Sequence, residues 1–342
     1  MSVFDETWLD DQQALTTADP VLRRLAEAGA RLRRESEQAS QPILGLTDLT
    51  RPRAVIAVGP EARFIRCMLE PVCPVPFVAW PAAGLPGWVG ALDLVVVLAS
   101  AGTSPDQVAS VHEAVRRGCQ VLIACPEGST IAEHAASRST TLLPTTTADP
   151  LAAAIVVLVG LHEMQLGPQV QPELVADAMD LVAEDCSPFT DLSQNPAKDL
   201  AMCLADAQPL VWGGTVVAAR ASRRLAEALR AASGRAALAA EAHDLVPVLD
   251  AAAPRDPFAD PFEDVLPSDR RPSLVVLDDG LGDSLVRAEQ TRLKAAAERN
   301  DVRVCVVAHR SGSDVERYAT LLQTGMYASV YFALGLGRYH DG

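Results

Sequence analysis

The chain of 342 residues has little lysine, few aromatic residues and no long apolar segment. Its longest apolar run, residues 151–161, is far shorter than the ~20 residues that a membrane-spanning helix needs, so we expect no membrane span. A basic stretch followed by apolar residues does not occur near its start, so we expect no secretory signal. Acidic residues outnumber basic ones by 44 to 29, a net charge of −15. We therefore expect neither nucleic acid nor an anionic membrane as the main partner.

The seven cysteines include no Cys-x-x-Cys pair. Cys119, Cys125 and Cys305 lie in or beside apolar segments typical of strands, so we predict that they are small core residues with free thiols. Free thiols are typical of a reducing compartment, and we predict a cytoplasmic location.

Apolar residues make up 49% of the chain, enough for a packed core, and the length predicts about two domains. Short β-branched segments predict buried parallel strands near residues 54–59, 77–80, 94–98, 121–125, 141–143, 210–214, 274–278 and 302–308. Helical patterns alternate with these segments, over 105–118, 219–232 and 284–299. This alternation predicts α/β units with parallel sheets.

The two halves repeat this order, which divides the chain into four parts. We predict an N-terminal helical segment (1–40), a first α/β domain (41–165), a linker with helical character (166–194) and a second α/β domain (195–342). Five prolines among acids predict a long loop over 250–272. Residues 151–164 are apolar nearly all round and predict a buried helix that packs between domains or subunits.

The loop 99–106 (Ala-Ser-Ala-Gly-Thr-Ser-Pro-Asp) follows the third predicted strand and precedes a helix. Ligands of open α/β sheets bind beyond the carboxyl ends of strands, and a glycine with hydroxylated neighbours at a helix start offers N–H groups to an anion. The same pattern fits an ordinary capped helix start, with Ser104 or Thr103 as the N-cap. Neither a G-x-G-x-x-G nor a G-x-x-x-x-G-K-[ST] motif occurs, so we expect no dinucleotide or Walker-type site, and no cofactor.

Three acids near the end of a later predicted strand, Asp278, Asp279 and Asp283, could bind Mg²⁺ or form a capped, solvated loop. We favour the solvated loop and expect no metal site.

Three segments resemble a known family. Residues 94–135 resemble the core of a sugar-isomerase (SIS) domain, including Arg117-Gly118 and the Glu-Gly-Ser of 127–129. Residues 195–201 are similar to the entry of the second SIS domain in the bifunctional phosphoglucose/phosphomannose isomerase family, and residues 325–334 resemble the end of that family's chain. Because the three occur in the family's order, the resemblance extends over roughly residues 45–340.

This resemblance implies an α/β fold of two doubly wound, parallel-sheet SIS domains, each a three-layer αβα sandwich, in a homodimer. It implies a phosphosugar site between domains and across the subunit boundary, without a metal or cofactor. Family members interconvert glucose 6-phosphate or mannose 6-phosphate with fructose 6-phosphate, which requires a base and an acid.

By the same resemblance, phosphosugar-binding residues are expected in three places: the glycine turn after the first strand, the loop after the third strand, and residues 232–235, where the family has its catalytic segment. These residues are Gly59, Ser100, Gly102, Thr103, Ser104 and Arg235. Glu241 and His243 are the candidate catalytic residues. Two positions apart, they cannot share a helix face, but they could point the same way on a strand or loop.

The chain departs from the family where the phosphate should bind. Ala99 and Ala101 replace two serines, and each lost hydrogen bond to a charged group is worth roughly 1.5–3 kcal/mol. Glu61 falls near a family serine, where a carboxylate ~4 Å from a phosphate would cost about 4 kcal/mol at an effective dielectric of about 20. The catalytic glutamate is missing from residues 232–235, where Arg235 retains only the cation.

We therefore predict a phosphosugar-binding protein with a degraded active site. Two alternatives stay open: an active isomerase with rearranged catalytic residues, drawn from Glu241, His243 or the acids of 255–264, and a non-enzymatic sugar-phosphate sensor or scaffold. The sequence does not decide whether the protein is an enzyme.

Overall fold

The computed structural model describes residues 4–47, 49–102, 104–252 and 270–339. The chain divides into a first unit, Ala28–Asp177, and a second unit, Met1–Glu27 together with Ala178–Gly342. Thr103 and most of the predicted loop 250–272 lie outside the described residues.

The first unit is built on a parallel sheet with the order β2-β1-β3-β4-β5. Its strands are β1 (Val55–Val58), β2 (Phe77–Ala79), β3 (Leu94–Leu98), β4 (Gln120–Cys125) and β5 (Thr140–Pro144). Its helices are α2 (Ala28–Leu44), α3 (Ala62–Leu69), α4 (Pro105–Arg116), α5 (Thr130–Ala135) and α6 (Pro150–Glu163), and α7 (Pro172–Asp185) begins at its end. The register pairs Val55 with Leu94 and Val95 with Val121.

Both faces of this sheet are covered, since every residue of β1 and β3 is buried. Val121 and Ile123 belong to the core that α4 and α5 cover, whereas Leu122, between them, faces α6 near Gly160. Alternate side chains of a strand point to opposite faces, so the first unit is a three-layer αβα sandwich. Helix α6 packs against α2 and strands β3 and β4 of its own unit. The helix is buried, as predicted, and α2 of its own unit covers it. Its place between domains or subunits stays a prediction.

The second unit repeats the plan with one strand fewer, in the order β7-β6-β8-β9, all parallel. Its strands are β6 (Gln208–Gly213), β7 (Leu238–Ala239), β8 (Pro272–Asp278) and β9 (Arg303–Ala308). Its helices are α1 (Gln12–Ala26), α8 (Pro196–Cys203), α9 (Val216–Ser233), α10 (Ala242–Asp250), α11 (Ser284–Arg299) and α12 (Asp314–Gly335). Helices α10 and α11 cover one sheet face with Leu245 and Leu293, against Leu210 and Val276 of the strands.

A buried ammonium group joins several segments of the second unit. Lys198, on α8, is fully buried, and its Nζ lies 2.6 Å from Asp10 Oδ1 and 3.0 Å from the carbonyl oxygens of Pro188 and Thr190. The ammonium also lies over the ring of Tyr331 on α12. Since a buried charge needs such partners, this residue of the family-like segment 195–201 has a structural role.

Cys119 and Cys125 are buried free thiols, as predicted. Cys305 is not: it forms a disulfide with Cys203 at the end of α8. The prediction of a free thiol there is wrong, because the edge strand β9 lies beside the C-terminal end of α8. Among the described helices, none is long and apolar enough to cross a membrane.

Candidate functional site

The candidate site lies where the strand order of the first sheet changes direction. Strand β1 has β2 on one side and β3 on the other, and ligands of open α/β sheets bind at this point, beyond the carboxyl ends of the strands. A cavity of about 440 Å³ opens there. Its wall consists of residues at and after the ends of β1, β2 and β3, together with the first half of α4: Val58, Gly59, Pro60, Trp80, Pro81, Ala82, Leu98, Ala99, Ser100, Ala101, Gly102, Ser104, Asp106, Gln107 and Ser110.

The turn after β3 is open towards this cavity. Gly102 has a φ of +112°, a conformation that favours glycine. A Cβ atom at this position would meet nothing within 4 Å, so no described side chain fills the turn. The helix then starts as the sequence predicts. Ser104 is the N-cap of α4, its Oγ accepts the Gln107 N–H at 3.2 Å, and Gln107 completes a capping box.

Gly59 has a different role in the wall. Its φ is +114°, and a Cβ atom would lie 2.3 Å from the Leu98 carbonyl oxygen. The Gln107 side-chain amide donates to the same oxygen at 2.6 Å. Glycine at position 59 therefore lets the ends of β1 and β3 approach each other beneath the cavity.

Several hydrogen-bond donors of the wall have no partner within the described residues. Ser100 is 5% exposed, and its hydroxyl is not hydrogen-bonded to any of them. The indole Nε1 of Trp80 has no hydrogen-bond partner there either, but it is buried too deeply for a ligand in the cavity to reach it. In the first turn of α4, Pro105 has no N–H and the Gln107 N–H is used by the cap, which leaves the N–H of Asp106 for a ligand. Donors of this kind suit an oxygen-rich anion.

The charge of the wall favours an anion less than its hydrogen-bond donors do. Among the described residues of the cavity wall, Asp106 is the one with an ionisable side chain, so an anion would meet donors but no cation. Ala99 and Ala101 lie in the wall at the positions where the resemblance leads one to expect serine hydroxyls. Glu61 is buried at the start of α3 and is not part of the wall. The Glu61 carboxylate therefore does not line the cavity, and the expected repulsion of a bound phosphate does not come from a group in the wall.

Of the predicted phosphosugar-binding residues, the structure brings Gly59, Ser100, Gly102 and Ser104 together in one wall. Thr103 lies outside the described residues. Arg235 is in the second unit, where its guanidinium donates to the Ala205 carbonyl and lies 5.2 Å from the Phe332 ring centroid. Burial, with the positive charges of Arg270 and Arg338, lowers the pKa of Arg235 to about 10.

The two predicted catalytic residues lie at the carboxyl end of β7. Glu241 is the N-cap of α10 without a side-chain cap hydrogen bond, and His243 is in the first turn of that helix. Their side chains are 54% and 73% exposed. Glu241 lies 3.5 Å from Arg223, and His243 lies 3.4 Å from Asp244. Glu241 and His243 therefore do not lie on a strand or loop where their side chains could point the same way, because α10 begins at Ala242.

Sequence reasoning missed Trp80, Gln107 and Ser110 as wall residues. Trp80 directly follows β2, and it reaches the wall because β2 is the neighbour of β1. Trp80 is the last residue of the predicted strand 77–80, so a rule that collects the residues at and after every predicted strand end would have included it.

Comparison with known proteins supports this architecture. Residues 193–338 match the family described as the bacterial phospho-glucose isomerase C-terminal SIS domain. That stretch contains a SIS domain. No curated protein matches the chain in a sequence comparison.

Solved structures match nearly the whole chain. Tagatose-6-phosphate ketose/aldose isomerase from Escherichia coli is 15% identical with a TM-score of 0.63, over 92% of this chain and 93% of that one. The C-terminal domain of glucosamine-fructose-6-phosphate aminotransferase from Francisella tularensis is 13% identical with a TM-score of 0.55, over 90% and 95%. A glucose-6-phosphate isomerase like protein from Thermus thermophilus is 15% identical with a TM-score of 0.50, over 89% and 92%. The predicted fold class is confirmed: the chain has the α/β fold of SIS phosphosugar isomerases.

Proposed function

We propose that this protein binds a sugar phosphate in the cavity beyond β1 and β3, and that it has lost isomerase activity. The phosphate would lie against the open turn at Gly102, and the sugar would extend towards Trp80. We also propose that the chain is a divergent member of the bifunctional phosphoglucose/phosphomannose isomerase family, as the resemblance suggests.

One observation carries the binding part of the proposal. The cavity at the reversal of strand order has an unfilled glycine turn and donors without a partner among the described residues, including the Ser100 hydroxyl and the Asp106 N–H. Buried donors normally have partners, so a wall with several unused donors favours an oxygen-rich ligand. Without a cation in the described wall, we expect the phosphate to bind with modest affinity.

The loss of catalysis follows from the ionisable groups. Aldose–ketose isomerisation moves a proton between C1 and C2, and the base must lie within hydrogen-bond reach of that proton. In the described part of the wall the single ionisable side chain, Asp106, lies at the same helix start as the donors for phosphate. Glu241 and His243 are exposed in the second unit, beside Arg223 and Asp244 respectively.

Two measurements test the proposal together. Isothermal titration calorimetry with fructose 6-phosphate, glucose 6-phosphate and mannose 6-phosphate should give saturable binding of at least one of them. A coupled assay that follows conversion of fructose 6-phosphate should give no turnover above the buffer rate. The absence of binding of all three would refute phosphosugar binding and leave the scaffold alternative.

The active isomerase is the second candidate function, because Glu241 and His243 both lie at the carboxyl end of β7, at the start of α10. Turnover that disappears in His243→Ala would establish that alternative. The homodimer belongs to the same proposal and is tested by sedimentation velocity at micromolar concentration, where a monomer would contradict it.

A further inference from the structure

The disulfide of the second unit lies beside a cavity. It joins Cys203, the last residue of α8, to Cys305 in the edge strand β9. Cys203 is 5% exposed, whereas Cys305 is partly exposed and belongs to the wall of a cavity of about 300 Å³. The wall also includes residues of α7, α8 and α12, all in the same unit. A small molecule that enters this cavity therefore meets Cys305 and not Cys203.

A disulfide opens by exchange when a thiolate attacks one of its sulfurs. The other five cysteines of the chain are free, and none of them lies in the described wall of this cavity. In the same unit, burial raises the pKa of Cys186 to about 12, so its thiol stays protonated at neutral pH. The attacking thiolate at Cys305 therefore comes from a molecule outside the chain.

The surroundings of Cys203 suit the sulfur that leaves. Its Sγ lies 3.3 Å from the hydroxyl oxygen of Ser273, which can donate a hydrogen bond to a thiolate. Arg303 donates from Nη1 to the carbonyl oxygens of Met202 and Cys203 at 3.1 Å each, so a positive charge lies at this end of α8. This charge opposes the negative end of the helix dipole, which disfavours a thiolate there. Since a stabilised thiolate leaves faster, attack on Cys305 with departure of Cys203 is favoured.

The cavity is negatively charged. Besides the disulfide sulfur, its described wall has three ionisable side chains, those of Asp185, Asp199 and His309. Burial, followed by the positive charge of Arg317, lowers the pKa of His309, so its imidazole is neutral at pH 7. Neither carboxylate of the wall is hydrogen-bonded or ion-paired to a described residue. The wall therefore repels an anionic thiol and attracts a cationic one.

We propose that the bond between Cys203 and Cys305 is redox-sensitive, and that small cationic or neutral thiols open it from this cavity. The thiolate sulfur bonds to Cys305 Sγ while the bond between the two Sγ atoms breaks, and Cys203 leaves as a thiolate that takes a proton from solvent. A second thiolate then bonds to the sulfur of the first small molecule and releases Cys305, which is protonated in turn. Two small thiols are oxidised to their disulfide, and the protein disulfide is reduced. This inference goes beyond the proposed function and does not depend on it.

Opening the bond removes the covalent link between α8 and the edge strand β9. On its other side, β9 pairs with β8 alone. We expect the reduced protein to keep its fold, because the hydrogen bonds from Arg303 to the end of α8 remain, but to open more often at β9.

Reduction kinetics of the full oxidised chain test the proposal, with cysteamine as the cationic thiol, 2-mercaptoethanol as the neutral one and 3-mercaptopropionate as the anionic one. Reactions at pH 7 and low ionic strength are stopped with iodoacetamide, and the modified cysteines are identified by mass spectrometry. The first product should have the small thiol on Cys305 and the alkyl group on Cys203. Relative to their rates with 2-hydroxyethyl disulfide, cysteamine should react at least about fivefold faster than 3-mercaptopropionate, and salt should reduce this ratio.

Matched variants separate the cavity from the rest of the chain. Asp185→Asn combined with Asp199→Asn should abolish the preference for cysteamine. Glu289→Gln, which changes an exposed acid of α11 outside the described wall, should keep it.

Hydrogen exchange followed by mass spectrometry tests the effect on the fold. Amides of residues 303–308 should exchange faster in the reduced protein, and those of β6 should not change. Cys203→Ser combined with Cys305→Ser should show the fast exchange and no response to thiols. Cys73→Ser, which removes a partly exposed free thiol, should respond as the wild type does.

The proposal is overturned when none of the three thiols reduces the bond in the folded protein, or when the small thiol is trapped on Cys203. An anionic thiol that reacts as fast as the cationic one would overturn the role of the cavity. Equal exchange at 303–308 in the oxidised and reduced proteins would overturn the effect on β9.

Discussion

Replacing Ser100 by alanine separates ligand binding from stability more cleanly than any other change in the first cavity. The Ser100 hydroxyl is not hydrogen-bonded to any described residue, so Ser100→Ala removes no internal hydrogen bond and should leave the thermal unfolding midpoint unchanged. A hydrogen bond to a charged phosphate is worth roughly 1.5–3 kcal/mol. Its loss should raise the dissociation constant for fructose 6-phosphate by about 10- to 100-fold, measured by calorimetry.

Two serines provide the controls for this experiment. Ser104→Ala removes the oxygen that caps α4 and should cost about 1 kcal/mol of stability in addition to affinity. Ser40→Ala, in an exposed part of α2, should change neither property. The converse change, Ala101→Ser, adds a hydroxyl to the wall and should strengthen binding. A dissociation constant for Ser100→Ala within about twofold of the wild-type value would refute the reasoning.

Four further predictions concern the stability of the fold and its disulfide. Gly59→Ala should lower the thermal unfolding midpoint more than Gly102→Ala, because both force a positive φ on alanine but only the first puts a Cβ atom against a carbonyl oxygen. Lys198→Ala should destabilise the protein by about 3 kcal/mol in urea unfolding, since it removes three hydrogen bonds of a charged, fully buried side chain. Thiol titration in denaturant should find five free thiols without reductant and seven after reduction. The Glu113 carboxylate accepts from a guanidinium and a backbone N–H, which lower its pKa below the usual 4.5, so its stabilising effect is present above that value and is lost as the pH falls further. Glu113→Gln should therefore flatten the acid limb of the melting-temperature profile.

Each of these predictions has a result that would contradict it. Equal midpoints for the two glycine variants would show that the approach of β1 to β3 does not depend on Gly59. Lys294→Ala changes the other lysine of the chain, and an equal loss of stability in both lysine variants would contradict a special role for the buried one. Seven free thiols before reduction would contradict the disulfide. An unchanged acid limb in Glu113→Gln would contradict the assignment of the shifted pKa.

The sequence predicts most of the sheet elements because buried parallel strands are short β-branched runs with clear ends. The predicted strand 94–98 and the predicted helix 284–299 agree with the structure to the residue. Strand β7 and helix α10 were missed. Strand β7 has two residues, and α10 has nine with a proline inside, so tertiary contacts rather than local pattern hold them.

The candidate site shows the same division between local and long-range information. The loop 99–104 is predictable because strand, glycine turn and capped helix follow one another along the chain. Trp80 and the pairing of Cys203 with Cys305 depend on which strands are neighbours and in what register, which a single sequence does not encode locally. The placement of Glu241 and His243 at a helix start has the same origin, since α10 begins as soon as β7 ends.

A crystal structure of the protein with fructose 6-phosphate would show whether the cavity of the first unit binds a phosphosugar. We expect the phosphate within hydrogen-bond distance of the Ser100 hydroxyl and the Asp106 N–H, against the turn at Gly102, with unreacted sugar in the cavity. A phosphate bound at a different place in the chain, with the turn at Gly102 empty, would contradict it.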